Sequence, residues 1–136
     1  MTGELALGLL IAHLLGDYVF QSDWMATGKL SRWWPAIVHG VTYTIPFALL
    51  ALALGGISPL ALAVICGTHI VIDRYRLAKY LVWLKNQVGP RRLRPGWPPS
   101  ATGYPAHVPA GAATILMIVA DNTIHLAINW AAVVWL

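Results

Sequence analysis

Four apolar runs, residues 4–20, 35–54, 57–73 and 108–136, take up most of this 136-residue chain. A helix that crosses a bilayer needs about 20 mainly apolar residues, within a range of roughly 17–25. The first and third runs are short but can recruit flanking residues, and the fourth is longer than a span needs. The third continues as Arg74-Tyr-Arg-Leu-Ala-Lys-Tyr-Leu-Val-Trp-Leu-Lys85, a helical pattern that carries charge and should protrude from the membrane. The sequence thus predicts a single all-α domain, residues 1–136, of a polytopic membrane protein. Four transmembrane helices are expected over about 4–22, 35–54, 57–85 and 108–136, with a cytoplasmic Pro/Arg-rich loop between the third and fourth.

Composition agrees. Only 10% of residues are charged, against about a quarter in ordinary soluble domains, which argues against a water-soluble globule, a disordered chain or a nucleic-acid module. The formal charge of +4 comes from basic residues beside apolar runs, so anionic lipid headgroups, not nucleic acid, are the expected partner. The one cysteine, Cys66, lies inside an apolar run; it excludes an intrachain disulfide and reads as a packing residue. The first run lacks a basic leading segment and is interrupted by His13 and Asp17, so it is expected to be a retained helix and not a signal peptide.

The basic residues orient the helices. Lys29 and Arg32 fall in the first connection; Arg74, Arg76, Lys79, Lys85, Arg91, Arg92 and Arg94 fall in the third. With four helices these connections share one side. The positive-inside rule makes that side cytoplasmic, in the inner membrane, with both termini outside. Trp24, Trp33, Trp34, Trp83 and Trp97 flank the basic side and Trp130 and Trp135 approach the other, as interfacial belts do. Residues 86–107, with five prolines and three arginines, read as an irregular loop holding a solvated His107. Asp23 is expected to cap a short helix around Trp24-Met-Ala.

Chemistry enters where polar residues interrupt the apolar runs. Asp17, Asp73 and Asp121 and four of the five histidines, His13, His39, His69 and His125, fall within the runs or at their ends. An Asp at a helix centre costs about 2.5–3.5 kcal/mol on insertion scales, so three need pairing, protonation, water or a metal. Spacing narrows the choice: His13 and Asp17, His69 and Asp73, and Asp121 and His125 are each four apart, which puts each pair on one helix face. His39, followed by Thr42 and Tyr43, supplies the fourth helix. At 1.5 Å per residue Asp17 and Asp73 lie about 18 and 22 Å from the outer ends of their helices, so one layer can hold all these groups. Imidazole with carboxylate suits a divalent metal, zinc first, manganese or iron if more carboxylates ligate. Seven candidate ligands, His13, Asp17, His39, His69, Asp73, Asp121 and His125, exceed one tetrahedral shell. Either two metals share them or some orient the others. Structural His–Asp hydrogen bonds are the bland alternative.

The stretch His13-Leu-Leu-Gly-Asp-Tyr-Val-Phe-Gln21-Ser-Asp23-Trp24-Met-Ala-Thr-Gly-Lys29 resembles the opening motif of the uncharacterised domain family 3307, small membrane proteins of bacteria and their phages. His39-Gly, His69-Ile-Val-Ile-Asp73 and Asp121-Asn-Thr-Ile-His125 follow the same pattern in order. More distantly the chain is similar to membrane-bound metal-dependent hydrolases, which carry His-xxx-Asp motifs on transmembrane helices; that likeness implies that the seven residues form a metal and active-site set. The expected function is a membrane-embedded metal-dependent hydrolase, in which Asp17, His39 and Asp73 activate water toward a lipid or lipid-linked phosphate. The alternatives are a proton or metal-ion carrier, for which four helices would need a homo-oligomer, and a phage-type structural membrane protein.

Overall fold

A computed structural model describes residues 3–136. Among them the secondary structure is helical throughout: α1 (Gly3–Leu14), α2 (Asp23–Gly28), α3 (Trp33–Leu54), α4 (Pro59–Tyr75), α5 (Ala78–Lys85) and α6 (Ala110–Trp135). The all-α expectation holds, but the four spans do not. Among the described residues two helices, α3 and α6, are long and apolar enough to cross a membrane. The first run is cut because α1 passes into a π-helical turn, Leu15–Val19, closed by Phe20 N–H donating to Leu15 O at 2.9 Å. The third expected helix, 57–85, is broken at Arg76, whose φ of 50° no right-handed helix accepts, so α4 ends and α5 restarts two residues later.

Local chemistry sets the other boundaries. α3 begins two residues before Pro35, which occupies a first-turn position where a helix has no use for an N–H. It stops at Gly55, at φ 69°, a backbone angle glycine adopts without strain. Ser58 Oγ then accepts from Ala61 N–H at 3.0 Å and Pro59 takes the first helical position, so α4 starts at once. The cap of α2 is Ser22 and not Asp23: its Oγ accepts from Met25 N–H at 3.4 Å.

The chain divides into two compact units, residues up to Tyr75 with His125–Leu136, and Arg76–Ile124. In the first, α3 packs against both α1 and α4. Two glycines permit the close approach: a Cβ on Gly16 would come 2.9 Å from Tyr43 O, and one on Gly40 would overlap the Ile70 side chain. Leu5, Leu9, Phe47, Ala61, Ile65 and Ala132 form an apolar core toward the Gly55 end. Tyr43 tops that core, and beyond it the interior turns polar: His13, His39, His69, Asp73, His125 and Asn129 are all buried. The outside is the reverse, with Ile11, Val41, Ile45 and Leu49 exposed.

The second unit gathers Ala78 and Val82 of α5 with Met117, Tyr104, Ala120 and Ile124. Its Pro/Arg-rich stretch is irregular as expected, apart from a 3₁₀ turn at Arg91–Leu93. Trp83 Nε1 donates to Gly96 O at 2.9 Å, tying the loop to α5.

Candidate metal centre

Four of the residues selected by spacing converge. Asp17 sits in the π turn, His39 one and a half turns into α3, and His69 and Asp73 one turn apart on α4. A π turn adds a residue to the helical repeat and redirects the side chains after it; here it lies where Asp17 leaves the α1 stripe. One donor atom from each of Asp17, His39, His69 and Asp73 lies within 4.8 Å of all the others.

The distances are specific. His39 Nε2 is 2.9 Å from His69 Nε2, 3.3 Å from Asp17 Oδ1 and 3.2 Å from Asp73 Oδ2. His69 Nε2 is 3.4 Å from Asp17 Oδ1 and 3.2 Å from Asp73 Oδ2. Five of the six separations among these four atoms are thus 2.9–3.4 Å, a spacing that suits one cation bound by nitrogen and oxygen at about 2 Å. An imidazole nitrogen carries one hydrogen or one lone pair, so His39 Nε2 cannot satisfy all its neighbours by hydrogen bonding. One cation at the centre satisfies all four donors together. Both rings turn Nε2 inward although Nδ1 of each is buried with no hydrogen-bond partner, so Nε2 is where these side chains make their polar contacts. These buried groups can hold a metal ion.

Each carboxylate gives one oxygen to this cluster and turns the other to an outer histidine. Asp17 Oδ2 is 3.5 Å from His13 Nδ1, and Asp73 Oδ1 is 3.5 Å from His125 Nε2. His13 and His125 therefore stand behind the carboxylates instead of joining the four donors, the arrangement by which second-layer groups orient metal ligands. Tyr43 locks the back wall. Asn129 Nδ2 donates to Tyr43 Oη at 2.7 Å, leaving the phenol hydrogen for His13 Nδ1 at 2.8 Å. The Tyr43 ring also lies flat on His69, centroids 3.6 Å apart at 11°. Asp121 sits one turn before His125 on α6, in the second unit, half-buried.

Two further residues reach the cluster. Gln21 Nε2 lies 2.7 Å from His39 Nε2, and Lys29 Nζ lies 2.6 Å from Asp73 Oδ2. Tyr43 and Asn129 follow His39 and His125 by four residues, so extending the same helical stripe finds them; Gln21 also follows Asp17 by four but lies just past the π turn. Lys29 obeys no such period; it arrives through the α2 connection.

The family model described as "Protein of unknown function (DUF3307)" matches residues 5–94. That stretch contains all four donors, His13, Gln21, Tyr43 and Lys29. It stops short of α6, so the expected continuation of the motif through Asp121 and His125 lies outside it. No curated protein and no solved structure matches the chain, and the likeness to membrane-bound hydrolases rests on His-xxx-Asp spacing alone.

Proposed function

This chain belongs to the DUF3307 family, and we propose that it is a membrane-embedded, metal-dependent hydrolase acting on the phosphate of a lipid or lipid-linked substrate. What carries the reading is the cluster of inward donors, His39 Nε2, His69 Nε2, Asp17 Oδ1 and Asp73 Oδ2, in which each imidazole nitrogen lies 2.9–3.4 Å from the other three atoms. Two imidazoles with two carboxylates in that geometry suit zinc ahead of manganese or iron, which take more oxygen ligands. The two carboxylates balance the ion's charge.

A divalent ion held there supplies Lewis acidity, which lets water ionise near neutral pH. His39, His69 and Asp73, each at most 5% exposed, fix the ligand frame; Asp17, at 11%, marks the side open to water and substrate. We assign proton acceptance to Asp17 Oδ2, the oxygen turned away from the cluster toward His13. Lys29, Arg32 and Arg74 surround the same end of the bundle, which suits an anionic headgroup. By the positive-inside rule this end faces the cytoplasm. Buried polar residues inside an apolar exterior are the pattern of a membrane-embedded site.

Metal analysis of the detergent-purified protein tests the reading. One equivalent of zinc, manganese or iron per chain is expected, lost in Asp17→Ala plus Asp73→Ala. A wild-type protein with no stoichiometric metal after zinc loading would sink it. Release of phosphate or headgroup from labelled phospholipid then tests the hydrolysis. Metal flux into liposomes without lipid turnover would instead make the protein a carrier.

A further inference from the structure

Lys29 is one of nine basic residues that the sequence assigns to membrane orientation, yet the structure puts it inside the polar cluster. Its Nζ lies 2.6 Å from Asp73 Oδ2, the same oxygen that is 3.2 Å from both His39 Nε2 and His69 Nε2. The lysine is 16% exposed, so it stands at the mouth, between the buried donors and the solvent. Nor is it a loosely held surface side chain. Arg74 Nη1 and Nη2 donate to Leu30 O and Ser31 O at 2.7 and 3.2 Å, clamping the two residues that follow it. Arg74 is itself held by two rings, its guanidinium 5.4 Å from the Trp33 centroid and 5.7 Å from that of Tyr75. On the other side Gly28 lies against Pro35, where a Cβ would come 2.7 Å from the ring.

Charge counting gives this placement a consequence. Asp17 and Asp73 already neutralise a divalent ion, so Lys29 is one positive charge in excess at the mouth of a loaded site. Its hydrogen bond also draws on the oxygen that the metal needs. We infer that Lys29 is the anion-binding residue of this centre: it competes with the metal for Asp73 Oδ2, and the ammonium displaced by metal loading takes up the phosphate group of the ligand. The inference rests on the metal-centre reading and adds to it a coupling, in which metal and phosphate each strengthen the binding of the other.

Cobalt supplies a readout that needs no turnover, because its visible absorption reports its ligands. The full-length protein in detergent is titrated with Co²⁺, then with inorganic phosphate, as wild type, Lys29→Met and Lys29→Arg. Lys29→Met is expected to bind Co²⁺ at least tenfold more tightly and to lose the phosphate-induced spectral change. Lys29→Arg, which keeps the charge, should retain that change and controls for folding. Short-chain phosphatidic acid is the second titrant: tighter binding than inorganic phosphate assigns a lipid headgroup, and equal binding assigns the phosphate group alone. Unchanged Co²⁺ affinity in Lys29→Met, a phosphate response that survives it, or no response to either anion in the wild type overturns this inference and leaves the metal reading intact. Absence of Co²⁺ binding in the wild type overturns both.

Discussion

His39 and His69, thirty residues apart, face each other Nε2 to Nε2 at 2.9 Å inside the bundle. Two neutral imidazoles make one hydrogen bond at that distance, but each of these nitrogens also meets both carboxylates within 3.4 Å. Removing either ring should therefore cost more than a hydrogen bond. His39→Ala or His69→Ala is expected to lower metal affinity by more than about a hundredfold, beyond the 10–100-fold usual for groups behind the ligands. Competition with a chromogenic chelator measures it; a loss under tenfold would show that the ring is not a ligand.

His13 and Tyr43 give the graded counterpart. Tyr43→Phe removes the hydroxyl that joins His13 to Asn129 while keeping the ring against His69. Breaking these two buried hydrogen bonds should destabilise the protein by roughly 1–3 kcal/mol. Metal affinity should fall about 10–100-fold, with one equivalent still bound. Thermal denaturation in detergent and metal titration read the two effects separately.

Metal loading should stabilise the whole fold, because the donors come from the π turn, α3 and α4 and gather only in the folded chain. At a free concentration a hundredfold above Kd the gain is about 2.7 kcal/mol. The melting temperature should rise with added zinc and fall back with a chelator. Asp73→Asn, which keeps the shape and removes the charge, should abolish the rise.

Gly16 tests the packing that delivers Asp17. A Cβ there would meet the Tyr43 ring and backbone, so Gly16→Ala would force the π turn and α3 apart. A cost of about 1–3 kcal/mol is expected, as for other overpacked interiors. A loss of metal affinity should accompany it, since Asp17 is the next residue. A melting temperature and metal affinity equal to wild type would show that the π turn adapts.

Ile45 tests the apolar exterior. It lies mid-way along α3 and is 44% exposed. Ile45→Arg places a charge where a spanning helix meets lipid, at a cost of about 2.5–3.5 kcal/mol on insertion scales. Less protein should remain in the membrane fraction after alkaline extraction, whereas the same change at exposed Val88, in the second unit, should leave that fraction unaltered.

Much of the candidate site was legible in the sequence because helical geometry is local. His69 and Asp73 are four apart, and a helix puts them on one face whatever surrounds it. Scarce charge and long apolar runs likewise dictated helices, and made every Asp and His within them conspicuous. The same reasoning overestimated helix lengths: the apolar run continues through the π turn after Leu14, and the positive φ at Arg76 falls in a charged stretch that still reads as helical by its spacing.

The sequence by itself determined the helical class and the stripes of His and Asp, since both follow from hydropathy and a period of 3.6 residues. Tertiary structure decided the roles. Which carboxylate oxygen points inward, which histidines stand behind, and which of nine basic residues enters the cluster depend on helices approaching through Gly16 and Gly40 and on α2 folding back. Those are distances between residues 30 and 44 positions apart, and no local period encodes them.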